Sequence, residues 1–361
     1  MINIYILIHW IHPKYIIINK IVYLTLVKNI NHIYNHGIYD KKNLFIYAYK
    51  NNKYDTVRSS IVNGANIHVN NDEALRYAAL FGYYDIVKLL IEHGADVHAH
   101  NDIALFWALK PNHYDIINLL IANGANVHAE DDNAIQLACE NGYYNIVKLL
   151  IQNGADIHAN NDYALRSASG NGHYNVVKFL IKNGANIHID NDYAIRWASR
   201  NGHYDIVKLL IENGANDDYA LRYASSSGNY NIVKLLLEHG VNVHVNDDYA
   251  LRYAALFGYY DIVKLLIEYG ADIHAIDDYA LRYATENGYY GIVKLLLENG
   301  ANIHAENDYA IRWASRNGYY DIVKLLIENG ANIHADDDYA IQLASKNGHH
   351  NVIKLLIEKW S

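Results

Sequence analysis

Cysteine occurs once in this 361-residue chain, at Cys139, and proline only at Pro13 and Pro111. A single cysteine excludes an intrachain disulfide framework and fits a reducing, intracellular setting, with the cytoplasm the expected compartment. A basic stripe is also missing. The formal net charge is −9, whereas nucleic-acid binding draws on clustered Lys and Arg to displace counterions. DNA and RNA are therefore not expected as partners. Long apolar runs are absent too. Ile4 to Ile11 is apolar apart from His9 and is stopped by His12, Pro13 and Lys14; Tyr15 to Val27 is broken by Asn19 and Lys20. Neither approaches the ~20 residues of a membrane-spanning helix. No basic segment precedes the first run and no small-residue cleavage site follows it. Residues 1–40 read as a degenerate N-terminal cap in preference to a membrane-surface anchor.

What the chain does have is a period. Hydrophobic residues make up 52%, and from Asn71 they recur in units of 30 residues. Units start at 41, 71, 101, 131, 161, 191, 217, 247, 277, 307 and 337, so the array is expected over 41–361. One unit is short: Asn216 runs straight into Asp217, and the I-H-A-x segment is omitted. Such an array buries each unit's apolar face against its neighbours, so it forms one quasi-linear object where a globule of this length would form two domains.

Each unit reads as two short helices. In the unit at Asn161, Asp162 is placed to cap the first helix and lies four residues before Arg166, the favourable order for an ion pair. Ala164, Leu165 and Ala168 follow helical spacing with small residues. Gly172 ends this helix, Val176 to Ile181 form the second, and Gly184 ends that one. Nineteen of the 22 glycines fall at these two helix ends across the units. The unit at Asn101 has Asn112 at the first of them, the residue that next best tolerates a left-handed backbone.

The recurring pattern A-x-x-N-G-H/Y-Y-D/N-I-V-K-L-L-I-E-x-G-A-N/D-I-H-A, from Asn71 to Glu358, resembles the ankyrin repeat. The usual T-P-L-H opening is replaced by Y-A-L-R, as at Tyr163 to Arg166, and the inter-repeat loop is three residues shorter than the family's common length. Both departures bear on the family's projecting β-hairpin fingers, not on its helix stack. The 30-residue period and the bias to Asn, Ile and Tyr are similar to ankyrin arrays encoded by giant viruses of amoebae, for which the compartment would be the host cytoplasm. The resemblance implies an all-α, ankyrin-type solenoid of helix-turn-helix units with short inter-repeat loops. It implies a monomeric protein-interaction scaffold that binds another protein through its concave face, with no catalytic machinery and no cofactor. The alternative is an adaptor that recruits a further machine, such as a ubiquitin ligase, through its N-terminal segment. Residues 1–40 carry no recognisable F-box pattern.

Comparing units with one another locates the candidate binding residues. Core positions barely change, whereas the position of Lys50, Leu80, Glu140, Gly170, Arg200 and Arg316 changes almost every time. Three residues earlier stand mostly aromatics: Tyr77, Trp107, Trp197, Tyr223, Tyr253, Tyr283 and Trp313. Both positions face the groove in the resembling family. Aromatics and Arg dominate interface hot spots, which makes these seven rings with Arg200 and Arg316 the candidate partner-binding set. The competing reading is that the rings pack across neighbouring units. Near-identical units, such as 191–216 and 307–332, point to duplication as a second source of the pattern.

Other chemistry is demoted. A histidine recurs in the loops, from His68 to His334. Units stacked at about the 8–10 Å helix-packing distance hold successive rings too far apart to share one metal ion at ~2 Å from each nitrogen. A structural ladder, each ring hydrogen-bonding loop backbone, is expected instead. If those rings are partly buried and neutral, acid should unfold the stack as they protonate. Cys139 takes a small-residue position and is expected to be buried and inert. Lys88 and Glu92 read as solvated charge on the outer face of the second helix.

Overall fold

The computed structural model describes residues 41–190, 192–216 and 218–359. The expected cap over residues 1–40 lies outside them. Among the described residues there are twenty-two α-helices and no strand. The fold is an all-α helical-repeat solenoid. It divides into two compact units, one of Met1–Cys139 with Tyr143–Ala159, the other of Glu140–Gly142 with Asn160–Ser361.

In the first unit the helices Lys41–Lys50, Glu73–Phe81 and Ala99–Leu109 pack in series. Tyr54–Val62, Tyr84–Glu92, Tyr114–Ala122 and Tyr144–Gln152 form a second series behind them. In the second unit Tyr193–Asn201, Asp218–Ser226, Val245–Phe257, Ala275–Glu286, Ala305–Asn317 and Ala335–Lys346 make the first row. The helices from Tyr174–Lys182 to His350–Glu358 make the other. The repeat at Asp247 shows why the rows close. Ala250, Leu251, Ala254 and Ala255 bury one stripe of the first helix, and Ile262, Val263, Leu265 and Leu266 bury the facing stripe of the second. Alanine brings the helices close, and each buried Leu, Ile or Val is worth about 1.5–3 kcal/mol.

The connection between repeats is neither a hairpin finger nor a simple loop. Three consecutive residues, such as Ile276, Asp277 and Asp278, have φ of 50°, 51° and 53°, a short left-handed turn that leads into the right-handed helix. For residues with a Cβ this costs about 1–2 kcal/mol each, least for Asn and Asp. Asn and Asp fill most of these places, but His100, Glu130, Ile276 and Glu306 occupy the first of them.

Three side chains hold the turn. Asp278 is 3% exposed, and its Oδ1 accepts from the backbone N–H of Asn302 at 2.7 Å. His274 Nδ1 lies 3.1 Å from the same oxygen, and since a carboxylate only accepts, the ring proton is assigned to Nδ1. Arg282 donates from Nε to the Asp277 carbonyl at 2.7 Å and from Nη2 to the Ile276 carbonyl at 2.8 Å. The same fork is made by Arg76 on Asn70 and Asn71, by Arg166 on Asn160 and Asn161, and by Arg252 on Asn246 and Asp247. Gln136 and Gln342 each reach one carbonyl.

These contacts correct three expectations. The aspartate before the helix does not cap it: no side-chain cap bond forms at Asp72 or Asp192, which instead accept from loop amides 24 residues on. Arg166 does not serve as a simple ion-pair partner of Asp162; it straps two carbonyls and reaches Asp190 at 3.5 Å. The histidine ladder is real, but the rings of His68, His98, His128, His188, His244, His274, His304 and His334 meet an aspartate where backbone was expected. The side chains of His98, His188 and His274 stand 58%, 59% and 55% exposed. The burial that would make acid unfold the stack is absent at these rings.

The end of the first helix is a second joint between repeats. Gly258 has φ of 83°, and a Cβ there would stand 2.7 Å from the ring of Tyr289, which belongs to the next repeat. Backbone sign and ring contact together require glycine at this place. His113 covers Gly82 and His203 covers Gly172 in the same way.

Candidate functional site

Helical spacing sets residues three and four apart on one face. From the repeat at Asn161 to that at Asn307 it therefore lines up the tyrosine near the start of the first helix, the arginine three residues on and, in most of these repeats, the aromatic candidate one residue beyond. In the second unit these rings form a continuous row. Tyr249 stacks on Tyr253 at 3.7 Å and Tyr279 on Tyr283 at 4.0 Å. Tyr253 meets Tyr279 at 6.3 Å, Tyr283 meets Tyr309 at 6.2 Å, and Tyr309 meets Trp313 at 5.3 Å. Guanidinium planes interleave. Arg222 lies 4.0 Å over Tyr249, Arg252 lies 5.3 Å over Tyr279, and Arg282 lies 5.5 Å over Tyr309. Arg252 and Arg282 are both buried, and their carbonyl forks compensate the desolvated charge.

All seven aromatic candidates are partly buried, and Arg200 and Arg316 are exposed. Tyr253, Tyr283 and Trp313 belong to the continuous row, and Tyr223 carries Arg222 at 5.6 Å. Trp197 meets Tyr193 at 5.7 Å in a tilted arrangement and carries Arg200 at 4.9 Å, while Arg316 lies 4.2 Å over Trp313. In the first unit Tyr77 meets Phe81 at 4.4 Å and Tyr49 at 5.8 Å, and Trp107 lies 5.5 Å from Arg76. Each candidate thus packs against a neighbouring ring or guanidinium and also presents part of its ring. Comparison of variable positions does not single out Tyr163, Tyr193, Tyr219, Tyr249, Tyr279, Tyr309 or Tyr339, because they hardly vary. The signal for them in the sequence is the recurring Y-A-L-R itself, which puts Tyr and Arg one turn apart on the same face.

The variable position tunes the row. Tyr309 donates its hydroxyl to Glu286 Oε2 at 2.7 Å. Burial, and then this carboxylate, push the Tyr309 phenol well above the ordinary tyrosine range. Burial and Glu140 do the same, more mildly, for Tyr163. Where the variable position shrinks to Gly170, with Ser167 in the aromatic place, the row opens into a notch of about 270 Å³. Glu140, Tyr163, Arg166 and Trp197 wall it.

Cys139 is buried, and burial pushes its thiol far above the ordinary range. Among the described residues no three His, Cys, Asp or Glu side chains gather as metal ligands. Lys88 and Glu92 are exposed, as are the equivalent Lys294 and Glu298, 3.8 Å apart. Among the described residues no helix is long and apolar enough to cross a membrane.

A model of ankyrin repeats in three copies matches residues 18–101, 44–131, 105–191, 135–218, 195–277, 251–337 and 311–360. Comparison with curated proteins returns no match. The matched segments together span nearly all of the sequence and share the repeat's helix pairs. The chain belongs to the ankyrin-repeat family, whose repeats generally act as protein–protein interaction modules.

Proposed function

We propose that this chain is a scaffold that binds another protein through the face made by its first helices, and that it carries out no reaction itself. The observation that carries the reading is the pairing of an exposed arginine with a partly exposed tryptophan at Trp197–Arg200 and Trp313–Arg316. A guanidinium laid on an indole keeps its in-plane N–H groups for a carboxylate, and the ring supplies apolar area at little entropic cost. The open notch beside Trp197 adds a place for a protruding side chain. The period and the Asn, Ile and Tyr bias support an origin among the arrays of amoeba-infecting giant viruses. The lone cysteine supports an intracellular site of action.

The test is capture of a partner by the full chain and by residues 41–361, each with and without Trp197→Ala plus Trp313→Ala. The double substitution should weaken binding by about 2 kcal/mol or more, as hot spots do. Substituting Lys208 and Lys324 on the outer face should leave binding unchanged. Unchanged binding with a lowered melting temperature would assign the tryptophans to packing. The interface would then move to the turn positions His100, Glu130, Asn160, Asp190 and Ile276. Loss of a co-captured component on removing residues 1–40 would identify an adaptor.

A further inference from the structure

Among the described left-handed turns, one faces a side chain with no N–H at the strap position, where the others face arginine or, in two repeats, Gln136 and Gln342. At the place of Arg76, Arg166, Arg252, Arg282 and Arg312, the repeat beginning at Asn101 has Phe106. Its left-handed turn is present all the same, with His100, Asn101 and Asp102 at φ of 54°, 57° and 59°. At Arg76, Arg166, Arg252 and Arg282 the strap joins the guanidinium to the carbonyls five and six residues earlier, here those of Asn101 and His100. Phe106 has no side-chain N–H to give them. The tyrosines that sandwich Arg166, Arg252 and Arg282 are also missing, for Ile103 and Asn133 stand in their places. The result is a cleft of about 270 Å³. Ile103, Leu105, Phe106 and Ala134 give it apolar walls, and Asn133 and Glu130 line it as well. Glu130 is held at 2.7 Å by the side chain of Asn101.

We propose that this cleft takes the side chain of an arginine from a partner protein, which supplies from outside the guanidinium that the repeat itself lacks. The chain displays the recognition geometry repeatedly, in its own arginines: a fork onto two carbonyls of a left-handed turn, with the stem along apolar surface and a flat group beside the plane. The cleft keeps the turn and the apolar walls, and it adds a carboxylate. In the equivalent place Arg312 reaches the acid of the following turn, Asp336, at 2.8 Å; Glu130 stands at that position here. Lysine fits less well, because a point ammonium cannot span both carbonyls. Two cations lie nearby. Arg76 is committed to Asn70 and Asn71, and Lys110 sits 5.2 Å over the Phe106 ring. The proposal rests on the reading of the chain as a protein binder, but it uses residues apart from Trp197 and Trp313.

The test titrates the full chain with N-acetyl-arginine amide, N-acetyl-lysine amide and N-acetyl-citrulline amide while following the Ile103 methyl resonance. The arginine compound should give a saturable shift with a dissociation constant on the order of 1–10 mM, a range suited to so small a ligand. The other two should bind about tenfold more weakly or worse, as expected for losing a charged fork. Phe106→Arg should abolish the response and keep or raise the melting temperature, because the repeat then fills its own cleft. If that variant does not fold, Phe106→Gln, which copies Gln136, should weaken the response. The double Trp197→Ala, Trp313→Ala chain should respond as the parent does, which separates failure here from failure of the tryptophan face. No saturable shift, equal responses to the three compounds, or an undiminished response in the folded Phe106 variant would overturn the proposal.

Discussion

Arg282 holds the carbonyl of Ile276 at 2.8 Å, and so pins a β-branched residue at φ of 50°. The strap offsets a backbone conformation that isoleucine otherwise avoids. Hydrogen bonds from a charged donor contribute about 1.5–3 kcal/mol each, so Arg282→Ala should destabilise the chain by at least that amount. Arg282→Lys should recover only part of it, because it offers one point donor where two carbonyls wait. Ile276→Asn should stabilise, by relieving the turn. Urea unfolding curves for the three variants check this, and equal midpoints for Lys and Arg at 282 would contradict it.

Glycines with the same backbone sign should differ in their tolerance of a methyl group. A Cβ on Gly258 would meet the Tyr289 ring at 2.7 Å, whereas one on Gly270, at φ of 87°, would have nothing within 4 Å. Gly270→Ala should cost only the conformational strain, about 1–2 kcal/mol. Gly258→Ala should cost that plus displacement of the ring, and Gly258→Ala with Tyr289→Ala should recover the second part. Equal losses for the two single substitutions, read from melting temperatures, would show that the ring yields freely.

Raised tyrosine phenols should make the chain sensitive to alkali. Burial first, and hydrogen-bonded or charged neighbours second, raise the phenols of Tyr163, Tyr249, Tyr279 and Tyr309. A raised folded value means that the neutral form is favoured by folding. The stability it brings is fully present below the unfolded value of about 10 and is lost as pH rises through the folded one. Melting temperatures should therefore fall steeply above about pH 10. Tyr309→Phe should shallow that fall. A slope unchanged by Tyr309→Phe would remove this phenol from the account.

The short connection at Asn216–Asp217 should be the easiest place for the second unit to open. Helices Tyr193–Asn201 and Asp218–Ser226 still pack together there. Asp218 still accepts from the Asn242 amide at 3.0 Å, and the Asn216 amide reaches Asp192 at 3.3 Å. What the omitted segment removes is one histidine–aspartate contact. Hydrogen exchange at Asn216 and at the opening of the following helix should be faster than at the matching places around Asp277 and Asp278. Greatest protection across this joint would refute the expectation.

The helix pairs, their glycine ends and their buried stripes are all legible in the sequence, since each rests on spacings of a few residues. The left-handed turn is not. Asp before a helix is also the ordinary cap signature, and the local pattern cannot tell a carboxylate that bonds its own helix from one that bonds an amide 24 residues away, as Asp278 does with Asn302. Arg166 misleads for a similar reason: Asp162 stands at ideal ion-pair spacing, while the carbonyl partners of the guanidinium are main-chain atoms and leave no mark in the sequence. Asn112 signals a left-handed backbone because Asn tolerates one. The Asn–Asp pairs at the repeat starts carry the same signal, but the cap signature masks it.

Among the described residues, the complete left-handed turns all have the same three-residue length, and most of their aspartates close on a backbone amide 24 residues on. A unit can therefore be copied, deleted or exchanged at these junctions without redesigning its neighbours, as the near-identity of residues 191–216 and 307–332 illustrates. The chain separates grammar from vocabulary: the junction chemistry stays constant, and the few positions that vary are left open to new meanings.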